Sequence, residues 1–154
     1  MPIIKNEIRI DAPIEVCFDL ARDVEIHTKT VGETNERAIK GVTSGHLKLG
    51  DKVTWEAVHF GVKQQLTAKI VEMEEPYIFV DEMVMGVFHS FRHTHKFIED
   101  NGHTIMIDIF EYKSPLGVLG KIADMLFLEA YMTKFISSRC DELKKIAERM
   151  GNTR

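Results

Sequence analysis

The sequence predicts an α+β domain, with seven antiparallel strands, short helices after the first strand, and one long C-terminal helix covering the sheet. Two observations carry this. Past a polar segment at residues 27–37, the chain runs in strand-like stretches broken by turn signals. From Ser114-Pro115 to about Met150 a helical period takes over and does not break.

In chain order, residues 3–11 (IIKNEIRID) alternate as a strand does. Pro13 opens a short helix from about Ile14 to Arg22, since proline suits a first helical turn. The polar stretch HTKTVGETNER follows. Turn signals then fall at Gly50-Asp51, Gly61-Val62, Glu75-Pro76, Gly86 to Ser90, and Asn101-Gly102. Ser114 as N-cap and Pro115 at the first helical position start the last helix. Its apolar stripe is Val118, Ile122, Met125, Met132, Ile136, Cys140, Leu143 and Ala147, interrupted by Glu129. The first half also carries Leu116, Leu119, Leu126, Phe127, Leu128, Tyr131 and Phe135, and so is apolar around most of its circumference. Overlying loops, a ligand entrance or a homodimer interface would each use such a surface. With no repeat or linker, residues 1–154 read as one domain.

Two hairpins say which side chains share a face. Asn101-Gly102 is the strongest short hairpin signal, because a type I′ turn needs positive φ at both central residues. It pairs Phe97 with Met106, His95 with Asp108, His93 with Phe110 and Phe91 with Tyr112. Arg92–Glu111, Thr94–Ile109 and Lys96–Ile107 lie on the opposite face. The charged set belongs in water, so the histidine set faces inward, against the first impression from Ile105, Ile107 and Ile109. The Gly61-Val62 turn pairs Trp55 with Ala68, Ala57 with Leu66 and His59 with Gln64 on the inner face. For residues 77–88 two countings conflict. One turns Asp81, Met83 and Met85 inward with Glu82 beside Lys69; the other turns Glu82 inward beside His95.

Composition narrows the function classes. The chain has 44% hydrophobic and 29% charged residues and a net charge of −4, without a basic cluster, so nucleic acid is not an expected partner. The most apolar stretch, LGVLGKIADMLFLEAYMTKFI, contains Lys121, Asp124 and Glu129, so stable membrane insertion is not expected. The opening MPIIKNEIRID lacks a signal-peptide block. Cys17 and Cys140 show no metal-ligand spacing and fit buried thiols in a reducing cytoplasm.

Several stretches together resemble the START-like, or SRPBCC, superfamily: IRIDAPIEVCFDLARDVEIH, TWEAVHFG, FVDEM, FRHTHKF and YKSPLG. The resemblance spans nearly the whole chain and is nearest to polyketide cyclase/dehydrase-like bacterial members. It implies a helix-grip fold, in which a curved seven-stranded sheet wraps the C-terminal helix around a cavity for a hydrophobic ligand. Members include lipid-transfer domains, pollen-allergen-like binders, polyketide cyclases and ubiquinone-binding proteins. A fold shared so widely leaves the activity to the site.

The inward face holds His59, His93, His95, Asp108 and Tyr112, with Asp81 or Glu82, which is more polarity than a plain core needs. One reading is a satisfied internal network; the other is the polar end of an apolar pocket, orienting a ligand's hydroxyl, carbonyl or carboxylate. The two overlap. In the second, Trp55, Ala57, Met83, Met106 and Phe110 form apolar wall, and His59, His93, His95, Asp108 and Tyr112 the polar end. The alternative is a cyclase, dehydratase or isomerase in which His95 and Asp108 transfer protons. No nucleophile motif and no cofactor is signalled. A metal on His93, His95 and Asp108 is not expected, because alternate strand residues lie about 6.5–7 Å apart along the strand.

Overall fold

The computed structural model describes residues 2–31, 34–59, 61–114 and 127–152. Its strands are β1 (Ile3–Ile10), β2 (Arg37–Gly41), β3 (Lys52–His59), β4 (Val62–Glu74), β5 (Ile78–Met85), β6 (Ser90–Asp100) and β7 (His103–Lys113). Its helices are α1 (Ile14–Ala21), α2 (Val24–Thr30) and α3 (Glu129–Asn152). The strands form one curved antiparallel sheet in the order β1-β7-β6-β5-β4-β3-β2, so β2 to β7 follow as neighbours and β1 joins on β7.

Each turn sets its hairpin by backbone chemistry. Asn101 and Gly102 take φ of 52° and 85°, the pair of positive values that a type I′ turn requires. The register that follows is the one read from the sequence: His95 opposite Asp108, His93 opposite Phe110, Phe97 opposite Met106. Arg92 lies on the outer face, bound to Glu82 and Glu72.

The β3–β4 hairpin differs from expectation by two residues, with Trp55 opposite Leu66, Ala57 opposite Gln64 and His59 opposite Val62. Val62 is therefore the first paired residue of β4 and not a loop residue. Gly61, with φ of 75°, stands just before that residue in a positive-φ conformation, as Gly102 stands before His103 in the other hairpin. A shift of two preserves side-chain parity, so the expected inner face survives the correction.

On β5 the conflict resolves in favour of Asp81. Asp81 turns inward and Glu82 outward, opposite Lys69 and bonded to Arg92. Register shifts in β4 beside β5, at Thr67/Ala68 and Ile70/Glu72, provide the irregularity that two strict countings lacked. Met85, expected inward, is 70% exposed at the end of the strand.

The polar stretch at 27–37 is partly helical. Asp23 caps α2 by accepting from the Ile26 N–H at 3.0 Å, which starts the helix ahead of the polar residues. On α3 the stripe Met132, Ile136, Cys140, Leu143 and Ala147 is buried, and Glu129 is exposed rather than interrupting it. The expected helix start at Pro115, Val118, Ile122 and Met125, and Leu116, Leu119 and Leu126 of the apolar surface offered for a homodimer, lie outside the described residues.

One end of the interior is solid. Phe18 from α1 meets Phe79 edge-on at 5.5 Å and Phe97 at 5.4 Å. Thr104 Oγ1 donates to the Ala12 carbonyl at 2.8 Å and ties the β1–α1 corner to β7. The other end, between the sheet and α3, is open.

Candidate functional site

There a cavity of about 530 Å³ lies between the concave face of the sheet and α3. Period-two alternation delivers Trp55 and Ala57 from β3, Leu66 and Ala68 from β4, and Phe91 and Phe110 from β6 and β7 to its wall. From α3 come Tyr131, Met132, Phe135, Ile136 and Arg139.

The polar groups gather around FRHTHKF. His95 Nε2 is 2.9 Å from Asp81 Oδ1, and His93 Nε2 is 3.0 Å from Asp108 Oδ2. The two imidazoles lean together, with ring centroids 3.9 Å apart, and Phe79 stacks on the far side of His95 at 4.1 Å. Arg139 completes the cluster. Its Nη1 is 4.0 Å from Asp108 Oδ2, and its Nη2 donates to the Ala21 carbonyl at 3.3 Å.

Burial, and then the neighbouring His93, push His95 down to about 4, despite the carboxylates of Asp108 and Asp81. The ring is therefore neutral at neutral pH and carries one N–H. The geometry gives that hydrogen to Nε2 facing Asp81. Nδ1, 3.7 Å from Asp108 Oδ2, has no hydrogen-bond partner among the described residues. Burial by itself would raise Asp108, but His95, the hydrogen bond with His93 and the Arg139 charge hold it well below the usual carboxylate range. Asp81 is held low in the same way by His95 and His93.

Two further pairs line the same cavity. His27 packs against Trp55 with the rings tilted by 32° and their centroids 4.2 Å apart, and its Nε2 lies 2.7 Å from Glu36 Oε1. Burial lowers His27, while His27 and Arg139 outweigh burial at Glu36 and hold that carboxyl low. His59 hydrogen-bonds the Tyr131 hydroxyl on α3, and burial lowers it too.

Of the residues expected from sequence, Trp55, Ala57, His59, His93, His95, Asp108 and Phe110 line the cavity. Met83, Met106 and Tyr112 do not. Met106 faces inward but is buried beside Phe97 at the solid end. Tyr112 is wholly buried against Phe88 and Phe110. Met83 packs beside Gly86 at the turn. Sequence reasoning missed His27, Glu36 and Arg139. Arg139 was findable, since it falls on the α3 stripe between Ile136 and Leu143 at helical spacing.

Strand spacing does not keep metal-ligating atoms apart at the side chains, contrary to expectation. Asp81, His93 and His95 each bring a donor atom within 4.8 Å of the others. Yet Asp81 and His95 are bonded directly at 2.9 Å. A tetrahedral ion with bonds of about 2.0–2.2 Å would hold them about 3.3–3.6 Å apart, so it would have to break that contact. Both thiols are pushed up by burial, which leaves neither Cys17 nor Cys140 as a ready nucleophile.

As it stands, the arrangement offers a largely apolar volume with polar pairs in its wall, and a neutral His95 imidazole resting on a carboxylate. That can orient a ligand or move a proton.

The fold recurs in solved structures. TTHA0849 from Thermus thermophilus superposes with a TM-score of 0.77 at 19% identity, covering 94% of this chain and 95% of that one. Protein Ms6760 from Mycobacterium smegmatis gives 0.70 at 17% identity, covering 94% and 89%. Ginseng major latex-like protein 151 from Panax ginseng gives 0.70 at 13%, covering 95% and 97%. These likenesses establish the helix-grip fold. Comparison with curated proteins gives no match. The profile of the family described as polyketide cyclase / dehydrase and lipid transport matches residues 10–132, most of the chain. On that match the protein belongs to the polyketide cyclase/dehydrase and lipid transport family of the SRPBCC superfamily.

Proposed function

We propose that the protein binds one small amphipathic molecule in the cavity between the sheet and α3. The apolar body lies against Trp55, Ala57 and Phe110, and the polar group meets Asp81, His93 and His95. The observation that carries this reading is the makeup of the wall. A volume of about 530 Å³ is lined mainly by aromatic and aliphatic side chains, with a bonded polar cluster where FRHTHKF crosses it and the His27–Glu36 and His59–Tyr131 pairs beside it. Ligand cavities run to about 300–1,000 Å³ with few, placed polar groups, which suits this wall. Family and fold support ligand binding or cyclase-like chemistry as the general class.

The test uses Trp55, the single tryptophan, which lies in the cavity wall. Decan-1-ol titrated into the protein should change Trp55 emission saturably, and Phe110→Ala should weaken the response. Mass spectrometry of organic extracts from purified protein should find a copurified amphiphile. No emission change together with empty extracts would sink the reading.

A second reading has one specific observation behind it: two histidines in the cavity wall each rest on a carboxylate, the arrangement of a proton-transfer catalyst. A cyclase, dehydratase or isomerase would use His95 with Asp81 or Asp108. Turnover of a bound ligand that His95→Ala or Asp108→Asn abolishes, with binding unchanged, would select the enzyme.

A further inference from the structure

The charges of the cavity wall are unequal, and their exposure is unequal too. Glu36, Asp81 and Asp108 are acids of the wall, and Arg139 is the one lysine or arginine among the described lining residues. Arg139 is also the less available charge. Its side chain is 7% exposed, it sits against Asp108 and the Ala21 carbonyl, and its Nε is sealed in the wall. Asp81 is more open, at 18%, and spends only Oδ1 on His95. An incoming headgroup therefore meets carboxylate before guanidinium. The apolar wall of the same cavity includes the aromatic rings of Trp55, Phe79, Phe91 and Phe110. Aromatic faces attract cations and offer nothing to anions.

We infer that the cavity selects an amphiphile with a cationic, hydrogen-bond-donating headgroup, an alkyl or aryl amine, and discriminates against free carboxylic acids. This rests on the binding reading above and narrows it. An ammonium group at Asp81 gains a charge-assisted hydrogen bond and offsets the surplus of negative charge. A carboxylate in the same place faces Asp81 and Glu36 at low dielectric, with the arginine behind Asp108.

Three probes with one chain separate the two readings. Decylamine, decan-1-ol and decanoate are titrated at pH 7.5 and low salt, with Trp55 emission as the readout. Decylamine should bind tightest, and decanoate at least about tenfold more weakly than decylamine, the equivalent of about 1.4 kcal/mol. In Asp81→Asn the gap between amine and acid should close to less than about threefold, because the opened charge is gone and its shape is kept. Decanoate binding within tenfold of decylamine, or more tightly, overturns the inference while leaving the binding reading standing. If none of the three changes Trp55 emission, the binding reading itself fails. Should Asp81→Asn not fold, the ranking in the wild-type protein already decides.

Discussion

At His95 the interior holds a group that titrates near 4, against about 6.5 in an unfolded chain. Between those values the unfolded chain takes up a proton that the folded ring refuses. Its contribution is whole above about pH 6.5 and is lost as pH falls toward 4. His27 and His59 are pushed the same way and add to the loss. Glu36, Asp81 and Asp108, held low, keep their contribution until pH drops below about 4.5 and only then lose it. Urea midpoints should therefore fall between pH 7.5 and pH 5, with His95 accounting for about 2 kcal/mol, and His95→Gln should flatten the slope. Equal stability at the two pH values would contradict a buried neutral His95. The direct Asp81–His95 bond also makes a forecast about metals. Untagged protein, purified without chelator, should carry zinc, iron and manganese far below one equivalent. Stoichiometric metal that disappears on His93→Ala would show that the contact opens around an ion.

α3 and the β6–β7 hairpin carry the elements' share of stability. Leu143 is buried in the α3 stripe between Cys140 and Ala147. Cutting it to alanine removes buried methyl groups and leaves a hole that a close-packed end of the core fills poorly. Leu143→Ala should cost about 2–5 kcal/mol by chemical denaturation. The hairpin depends on a backbone conformation instead of buried area. Gly102 has φ of 85° and its Cβ position is open, so Gly102→Ala meets conformational strain without a clash. It should cost about 1–2 kcal/mol and leave the register intact, since Asn101 already holds positive φ. A cost near zero would mean that the turn does not keep this geometry in solution.

For the whole molecule, a cavity beside a solid core leaves a volume in which a bound ligand would add stability. A ligand that binds only the folded state adds stability as its concentration exceeds Kd, about 2.7 kcal/mol at a hundredfold excess. For a domain of this size that corresponds to about 5–11 °C in Tm. Saturating decylamine should raise Tm by several degrees in the wild type, and Phe110→Ala should reduce the rise. A bound amphiphile reported by Trp55 that leaves Tm unmoved would show that the probe binds the unfolded chain as well as the folded one.

The order of elements, the His95–Asp108 register and the inward parity of Trp55, Ala57, His59, His93 and Phe110 were all determined by sequence. Each depends on contacts close along the chain: a turn's φ requirement, a period of two, a helical stripe. Tertiary structure decided the rest. Shifts in β4 settled Asp81 over Glu82. Phe18 and its neighbours filled one end of the interior and so withdrew Met106 from the cavity. His27 and Glu36, from a stretch that reads as polar loop, and Arg139, from the far helix, joined the wall. Even the two histidines of FRHTHKF, placed by parity on one face, met ring to ring only through side-chain torsions. Strand pairing is a local rule repeated along the chain. A cavity is a volume left between distant segments, and its size and charge follow from how those segments pack.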